Sequence, residues 1–144
     1  MTADGDGSYP VEAIPELVDR LVDEKLDFIS ACRFPLRTAG SMNTSNQVGN
    51  KILTIATAVL YGTAVRDSQS GMWVFRRSIY PLLKVTSDGM AFSEEIKLEA
   101  LLQRLRFGEE HVPYGARVGE VKLQKWRDGW RNLTFLVRKR FGLV

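Results

Sequence analysis

The sequence is poor in the residues that form disulfides and zinc sites. Among its 144 residues it has one cysteine, Cys32, and one histidine, His111. A single cysteine excludes an internal disulfide and fits a reducing compartment, and the two counts together exclude metal sites rich in His or Cys. No Ser-His-Asp or Cys-His catalytic set can be assembled. We expect Cys32 to pack as a small apolar residue and His111 to have a structural role.

Long apolar runs are also missing. No stretch reaches the roughly 18 apolar residues that a helix needs to cross a bilayer. The most apolar candidate, residues 52–65, is short and contains Thr54, Thr57 and Gly62. The first residues are acidic and rich in glycine, which is unlike a signal peptide. We therefore expect neither a membrane-spanning helix nor a signal peptide.

Acidic residues are scarce near the C-terminus. The whole chain has 20 Lys and Arg against 17 Asp and Glu, a formal net charge of +3, which by itself does not indicate a nucleic-acid partner. From Pro113 onward eight Lys or Arg stand against two acids, Glu120 and Asp128, a local charge of +6. Such a basic tail suits phosphate groups or an anionic membrane surface, although a solvated helix face is the commoner cause of such asymmetry.

One stretch, residues 66–77, combines polar groups with an apolar strand. Residues 67–70 supply a carboxylate, two hydroxyls and an amide, and Gly71 lets the backbone pass close to a ligand. The apolar run 72–75 then predicts a short buried strand. Polar loops beside a rigid strand often carry chemistry, because the sheet fixes the groups that the loop presents. A plain polar turn between two helical regions is the alternative.

The remaining pattern alternates helices with short strands, which predicts an α/β layer structure. The predicted helices cover residues 11–25, 43–61, 93–106 and 126–141, a short one follows Arg77, and the predicted strands cover 27–34, 72–75 and 109–114. The helix 43–61 is almost wholly apolar in its second half, so it is either deeply buried or laid against lipid. We expect Ser93 to cap its helix, and core packing is the default for Trp126 and Trp130, which share one helix face.

Two loops have residue types that suit a divalent ion and a diphosphate. Asp4 and Asp6, separated by one glycine, can turn two carboxylates toward one point, and hard ions such as Mg²⁺ or Mn²⁺ prefer ligands of this kind. Residues 117–123 place Arg117 and Lys122 around a glycine, and such a loop can fold over a diphosphate. Each pattern alone also fits a solvated loop.

Taken in order, these pieces resemble the family 2 glycosyltransferases, specifically the polyprenol-phosphate sugar synthases typified by dolichol-phosphate mannosyltransferase. The matching motifs lie at residues 4–10 (Asp-Gly-Asp-Gly-Ser-Tyr-Pro), 30–33 (Ser-Ala-Cys-Arg), 67–71 with 75–77, 87–89 with 94–95, and 117–123. Each motif is weak alone. The ordered set is specific.

The resemblance implies a partial GT-A-type α/β layer fold that lacks its N-terminal half. Residues 1–144 would form the C-terminal part of a glycosyltransferase catalytic domain. Within it the resemblance implies a metal loop, an acceptor loop with its strand, a mobile loop and a basic helix, at residues 1–10, 66–77, 115–125 and 126–141 respectively. We expect the chain to be truncated, or a partner chain to supply the missing half, and we expect the isolated fragment to be inactive.

The implied reaction is the inverting transfer of a hexose from a nucleotide-diphosphate sugar to a polyprenol phosphate. It would take place at the cytoplasmic membrane face, with the protein peripheral to the membrane. Asp4 and Asp6 would hold Mg²⁺ or Mn²⁺ on the donor diphosphate, and Arg117 and Lys122 would cover that diphosphate.

The resemblance also implies catalytic roles for Arg33, Asp67 and Ser70, and acceptor binding by Arg33, Asn46 and Ser70. Two positions depart from the family pattern. Ser8 stands where the family has a stronger metal-supporting side chain. Where many members have an arginine before the long helix, this chain offers Asn46 as a substitute.

Two other functions fit the same residues. A glycosyltransferase with a hydroxyl acceptor would need a general base, for which Asp67 and Glu94 are the candidates. A non-catalytic module would use the basic helix with Trp126 and Trp130 to attach to nucleic acid or lipid. A lipid phosphate is already anionic near neutral pH and needs little general-base help. We therefore favour the phosphate acceptor. We also expect no nucleic-acid partner.

Overall fold

The computed structural model describes residues 1–116 and 125–143. Within these ranges the chain forms helices α1 (Ile14–Asp23), α2 (Thr44–Tyr61), α3 (Phe92–Leu102) and α4 (Lys125–Arg140), and strands β1 (Phe28–Cys32), β2 (Trp73–Phe75) and β3 (Phe107–His111). Two 3-10 segments, Val11–Ala13 and Arg77–Leu82, precede α1 and follow β2. The α/β class predicted from the sequence is confirmed.

Several predicted elements have different ends. α3 covers Phe92–Leu102 instead of residues 93–106. The prediction that Ser93 caps this helix is wrong, because Ser93 lies inside it. A backbone turn starts the helix instead, since the Phe92 N–H donates to the Gly89 carbonyl at 3.0 Å. β3 covers Phe107–His111, so it begins two residues before the start of the predicted strand 109–114 and ends three residues before the end of that strand.

The sheet has the strand order β2-β1-β3, with β1 antiparallel to β2 and parallel to β3. Thr2 forms an antiparallel bridge with Trp73 of β2, through N···O distances of 2.9 and 3.0 Å. Thr2 therefore runs in the same direction as β1. The residues that follow Thr2, β1 and β3, together with those that precede β2, lie at one edge of the sheet, here called the carboxyl edge.

Both faces of the sheet are covered by helices. On one face Ile29 packs with Leu17 and Leu21 of α1, and on the other Phe28 packs with Ile96 of α3. Residues 28 and 29 face opposite sides because side chains alternate along a strand. β1 is consequently buried over its whole length.

α3 is buried from Glu94 to Ala100 because it lies between the sheet and the α2–α4 pair. Thr57 of α2 contacts Glu94, and Lys139 of α4 contacts Glu95. Charged side chains of α3 thereby lie in the interior, where each charge needs a partner.

α2 and α4 expose apolar side chains. Of the two alternatives for α2, deep burial or contact with lipid, the structure excludes deep burial for much of its surface. Leu53 and Thr57 are buried, but residues 48, 52, 55 and 59 are all more than half exposed. Core packing is also the wrong expectation for Trp130, which is 70% exposed. No helix in the described ranges is long and apolar enough to cross a membrane.

Candidate functional site

Residues 66–71 form a turn at the carboxyl edge directly before β2, here called the site turn. Lys97 of α3 holds its backbone, since Nζ donates to the carbonyl oxygens of Asp67, Ser68 and Ser70 at 3.4, 2.9 and 2.5 Å. An ammonium group has three donors, and these three carbonyls use all of them. Three turn carbonyls therefore point inward to one cation.

The Lys97 ammonium is enclosed. The residue is 1% exposed, and Nζ lies 5.5 Å from the centre of the Trp73 ring. Burial lowers the pKa of Lys97 to about 8, although the charge of Asp67 opposes this shift. The charge that holds the site turn is therefore sensitive to mildly alkaline pH.

Arg33 follows β1 and pairs with Asp67 in the interior. Arg33 Nε and Nη2 donate to Asp67 Oδ2 and Oδ1, each at 2.8 Å, and the Arg33 backbone N–H donates to Oδ2 at 3.0 Å. Arg33 is 6% exposed and Asp67 is 0% exposed. Burial alone would raise the pKa of Asp67, but the hydrogen bonds and charge of Arg33 hold it below its usual range. The pair fixes the site turn to the end of β1.

Tyr9 and Glu109 hold the two ends of the site turn. The Glu109 carboxylate of β3 accepts the backbone N–H groups of residues 66 and 67 at 2.8 and 3.1 Å. The Tyr9 hydroxyl accepts the Gly71 N–H at 2.7 Å and donates to Ser70 Oγ at 3.3 Å. Burial raises the pKa of Tyr9, so its hydroxyl stays protonated and can donate. Both partners are distant in sequence from the turn.

The Asp-Gly-Asp loop meets the site turn. The Asp4 carboxylate lies against the backbone of Gly71, so closely that a Cβ at position 71 would overlap its Oδ2. A side chain at position 71 would therefore displace this carboxylate. Asp6 Oδ1 accepts the Ser8 N–H at 3.0 Å and the Ser8 hydroxyl at 2.5 Å, so Ser8 orients Asp6. The Ser8 carbonyl accepts the Gly115 N–H at 2.9 Å, which brings the segment after β3 to the same place.

The donor set of this loop fits a divalent ion that is shared with a ligand. Asp4 and Asp6 supply two carboxylates, and Mg²⁺ commonly takes one or two protein carboxylates together with waters and substrate phosphates. Among residues 1–116 and 125–143, no group of three or more His, Cys, Asp or Glu side chains could hold a metal ion. Binding of Mg²⁺ or Mn²⁺ by Asp4 and Asp6 stays a prediction.

Polar side chains of α2 and α4 complete the surroundings of the site turn. Thr54 Oγ1 accepts the Ser68 N–H at 3.2 Å, and Asn132 Nδ2 of α4 donates to Gln69 Oε1 at 3.1 Å. Asn132 also lines a cavity of about 200 Å³ between α4 and residues 87–91. This volume is below the roughly 300–1,000 Å³ typical of small-molecule sites, so the cavity is too small to enclose a nucleotide sugar.

The structure brings together the three residues for which catalytic roles are predicted. Arg33, Asp67 and Ser70 belong to one hydrogen-bonded network at the carboxyl edge. Arg33, Asp67 and Ser70 are all buried, however, whereas the resemblance implied that they face an open acceptor site. Their contacts suit them to hold the site turn in place. Their roles in catalysis stay predictions.

Asn46, predicted to bind the acceptor, lies in the first turn of α2, and its role stays a prediction. Its backbone N–H donates to the side chain of Asn43, which caps α2, at 2.9 Å. Asn46 precedes Thr54 by eight residues, roughly 12 Å along a helix axis. The predicted diphosphate ligands Arg117 and Lys122 lie outside the described residues.

Sequence reasoning missed Lys97, Glu109 and Tyr9, which hold the site turn. One signal for Lys97 was present in α3, where charged residues at positions 94, 95, 97 and 99 interrupt the apolar ones. A helix without a distinct polar face is typically buried all round, and its charges then need interior partners. The sequence does not indicate which partners these are.

Three glycosyltransferases of Haloferax volcanii are similar to this chain. It is 34% identical over 136 residues to the low-salt glycan biosynthesis hexosyltransferase Agl6, an alignment that covers 93% of this chain and 33% of Agl6. It is 29% identical over 129 residues to a dolichyl-phosphate hexose transferase, covering 90% of this chain and 55% of the relative. It is 30% identical over 128 residues to the glycosyltransferase AglJ, covering 88% of this chain and 42% of the relative.

These matches confirm the resemblance to glycosyltransferases that the motifs indicate. The chain spans between 33% and 55% of the length of these relatives. No family model matches the chain, and no solved structure gives a significant match. Membership of family 2 and the GT-A type of fold therefore stay predictions.

Proposed function

We propose that this chain is the C-terminal part of the catalytic domain of a hexosyltransferase that uses a nucleotide-diphosphate sugar and a polyprenol phosphate. The premise is that its homologues are glycosyltransferases, one of which is named a dolichyl-phosphate hexose transferase. The observation that carries the proposal is the meeting of the loop at residues 4–6 with the site turn. Ligands of open α/β sheets bind outside the carboxyl ends of the strands, where both segments lie.

The donor would be bound through its diphosphate. Asp4 and Asp6 would hold Mg²⁺ or Mn²⁺, which when bound neutralises charge on the diphosphate and on the leaving group. Ser8 orients Asp6 through two hydrogen bonds. Arg117 would give forked hydrogen bonds to the same phosphates, and Lys122 would add a point charge.

A phosphate acceptor fits the site turn better than a hydroxyl acceptor. A lipid phosphate is anionic near neutral pH, so it can attack the anomeric carbon without a base, and a single in-line displacement inverts that carbon. Asp67 is a weak base because Arg33 engages both of its oxygens and lowers its pKa. We propose that Ser70 and Asn46 contact the acceptor and that Arg33 holds the turn that contains Ser70. Ser70 is buried in this structure, where its Oγ accepts from the Tyr9 hydroxyl.

The exposed faces of α2 and α4 fit a membrane surface. Residues 48, 52, 55 and 59 of α2 recur at helical spacing and are all exposed. Trp130 of α4 and Phe141 directly after α4 are exposed, and the last turn of α4 contains three cations. Helices with apolar and basic exposed residues lie in the headgroup region of anionic membranes. We propose peripheral attachment at the cytoplasmic face, where a polyprenol phosphate would be presented.

Exchanging Ile52 and Val59 together for Ser is expected to weaken binding to anionic phospholipid vesicles at least about tenfold, because each apolar side chain contributes roughly 1–2 kcal/mol when it leaves water. Co-sedimentation with vesicles measures the effect. Val22→Ser is the matched control, since Val22 of α1 is exposed to the same 54% as Ile52 but lies on the other side of the sheet. Equal weakening by the control would contradict the proposed surface, and salt-sensitive binding to nucleic acid without vesicle binding would favour the binding module.

The metal loop is tested by thermal stability with Mn²⁺ and GDP or UDP. At ten times its Kd, a nucleoside diphosphate is expected to raise the Tm by roughly 3–6 °C, because a ligand that binds only the folded chain stabilises it. The shift should disappear in Asp6→Ala and after addition of a chelator. Asp19→Ala removes an exposed carboxylate of α1 and should retain the shift.

A shift that persists in Asp6→Ala would refute the role of this loop. In the same preparation we expect no measurable hexose transfer to a polyprenol phosphate by the 144-residue chain alone. The chain spans at most 55% of the length of the relatives described above, and we propose that residues outside it hold the nucleotide base. Turnover by this chain alone would overturn that part of the proposal.

A further inference from the structure

We propose that two adjacent buried glutamates of α3 have opposite protonation states at neutral pH. Glu95 is an ionised carboxylate, whereas Glu94 is a neutral carboxylic acid that donates its proton to Thr57 and thereby ties α3 to α2 beside the site turn. The inference stands on contacts within the chain and does not require the proposed function.

Glu95 has the surroundings of a carboxylate. Its Oε2 accepts the Ser87 N–H at 2.8 Å and the Ser87 hydroxyl at 2.5 Å, and its Oε1 accepts the Thr86 hydroxyl at 2.9 Å. Lys139 Nζ donates to Oε1 at 2.8 Å. Burial alone would raise the pKa of Glu95, but Lys139 and Ser87 hold it below its usual range. Every one of these contacts is a donor to an oxygen, which only the ionised form accepts in full.

Glu94 lacks a cationic donor among the described residues and has one contact that the ionised form explains poorly. Polar side chains of Thr57, Gln69 and Ser68 lie near it and favour the ionised form. Its Oε2 is buried and accepts no hydrogen bond from the residues that the structure describes. Its Oε1 lies 2.6 Å from Thr57 Oγ1, and the same hydroxyl lies 2.9 Å from the Leu53 carbonyl. A threonine hydroxyl has one proton, so it can donate to Glu94 or to Leu53 but not to both.

A proton on Glu94 resolves this competition. Glu94 then donates to Thr57 Oγ1, and Thr57 donates to the Leu53 carbonyl, so that each oxygen in the chain of hydrogen bonds has a partner. If Glu94 were ionised, Thr57 would have to donate to it, and the Leu53 carbonyl would keep only its helical N–H donor. Oε2 of the buried carboxylate would still accept no hydrogen bond from the described residues. An unpaired buried charge is the more costly of these defects.

No cation pairs with Glu94 among the described residues. The titratable groups that interact electrostatically with Glu94 are Lys97 on α3 and Tyr61 on α2. Tyr61 in turn interacts with Lys139, Arg140 and Glu95, and Lys97 interacts with Asp67, Arg33 and Glu109. Lys97 uses its three donors on the site-turn carbonyls, and Lys139 pairs with Glu95 and Glu99. Burial raises the pKa of Glu94, although the side chains of Thr57, Gln69 and Ser68 act in the opposite direction.

The protonation state bears on the choice of acceptor. This step rests on the proposed function, because it concerns a base for glycosyl transfer. A neutral acid that donates to Thr57 is not a base for an acceptor hydroxyl. Since Asp67 is engaged by Arg33, neither candidate base is then available, and the acceptor that needs no base is favoured.

The pH dependence of stability distinguishes the two glutamates. Glu94→Gln keeps a neutral side chain of the same shape. If folded Glu94 retains its proton, the folded state binds more protons than the unfolded state above the ordinary glutamate pKa, and the Tm of the wild type relative to Glu94→Gln falls as pH rises. Glu95→Gln should show the opposite slope, because the stabilisation from ionised Glu95 is present above that pKa and is lost as pH falls through the folded-state value.

At neutral pH we expect Glu94→Gln to match or exceed the wild-type Tm, and Glu95→Gln to lie several degrees below it. The proposal is overturned if Glu94→Gln becomes less stable relative to the wild type as pH rises, or if its difference from the wild type does not change with pH. Either result would mean that Glu94 titrates as an ordinary or a paired carboxylate.

Two further measurements decide the matter if a Gln variant does not fold. Infrared spectroscopy of the wild-type chain with isotope-labelled glutamate should show a protonated carboxyl band at neutral pH, and its absence would overturn the proposal. Thr57→Val should retain that band but shift it to higher frequency by removing the acceptor of the carboxyl proton, while Thr57→Ser should leave its position close to that of the wild type. These measurements read protonation and stability only, so their failure leaves the nucleotide and vesicle tests of the proposed function intact.

Discussion

Asp67→Asn is expected to lower the free energy of unfolding by roughly 3–5 kcal/mol, the largest loss among the variants considered, because it leaves the Arg33 guanidinium buried without a counter-charge. Arginine cannot lose its proton to relieve this penalty. The substitution retains the size of the side chain but replaces one acceptor oxygen with an amide donor that faces Arg33. Urea denaturation at neutral pH, monitored by tryptophan fluorescence, measures the loss.

A second ion pair in the chain is a matched control for this experiment. Arg106 N and Nε donate to Asp27 Oδ2 at 2.9 and 3.0 Å, and Nη2 donates to Oδ1 at 2.9 Å, which repeats the three hydrogen bonds between Arg33 and Asp67. The Arg106 side chain is 57% exposed. Asp27→Asn is therefore expected to lose at most about 1 kcal/mol. Equal losses in the two variants would show that burial does not set the strength of the Arg33–Asp67 pair.

The loss in Asp67→Asn should also depend on pH. Because the folded-state pKa of Asp67 lies below its usual range, the stabilisation from its ionised form is present above the ordinary aspartate pKa. It is lost as pH falls through the folded-state pKa. The wild type and the variant should consequently converge in acid, and a difference that stays constant would contradict the assignment of the charge to Asp67.

Lys97→Met is expected to lower the free energy of unfolding by roughly 2–3 kcal/mol at neutral pH. Methionine fills the space of the lysine stem but leaves the carbonyls of Asp67, Ser68 and Ser70 without that donor, and a buried acceptor without a partner costs about 1–3 kcal/mol. Removing a buried ammonium offsets part of this cost, which is why the three losses do not simply add. Urea denaturation again measures the difference.

The loss of stability in Lys97→Met, relative to the wild type, should increase as the pH becomes alkaline. The pKa of Lys97 is lowered from 10.5 to about 8 in the folded state, so between these values the unfolded chain binds a proton that the folded chain has lost. Stability rises with pH wherever the unfolded state binds more protons. The difference in the free energy of unfolding between the wild type and Lys97→Met should therefore increase from about pH 8 upward. The neutral amine of Lys97 would still donate hydrogen bonds in this range.

Lys139→Met is the control with the opposite sign. Burial alone would lower the pKa of Lys139, but Glu95 and Glu99 hold it above its usual range. Its contribution is then fully present below the ordinary lysine pKa and is lost as pH rises through the folded-state value. The same slope in both lysine variants would contradict the two environments that the structure shows.

Together these variants test which contacts hold the site turn at the carboxyl edge of the sheet. Arg33, Lys97 and Glu109 each approach the site turn from a different element and bind different atoms of it. Loss of any one partner leaves a buried polar group behind, so the turn is fixed by mutual dependence and not by one strong contact. A turn held in this way keeps the half-buried side chain of Gln69 in a constant geometry.

The sequence indicated where the site lies but not what holds it. The polar run before the apolar segment 72–75 marked the site turn, and the order of the motifs marked the relationship to glycosyltransferases. The partners of the turn are far away along the chain: Asp67 meets Arg33 across 34 residues and Glu109 across 42. Such pairs depend on strand order and helix packing, which local patterns do not encode.

The pattern at Glu94 and Glu95 shows the same limit. Two acids in the first turn of a helix indicate a favourable interaction with the helix dipole, which is the usual interpretation. The structure places both in the interior because α2 and α4 cover α3. Because the two carboxyl groups have different hydrogen-bond and ion-pair partners, their protonation states differ.

By itself, the sequence determined the α/β class, the approximate helices and strands, the basic character of the last helix and the relationship to glycosyltransferases. These properties follow from residue periodicity and motif order, which are local. Only the tertiary structure decided which charges are buried, which donors they find and which glutamate keeps its proton. Those outcomes depend on distances of about 3 Å between remote segments and on the exclusion of water around them.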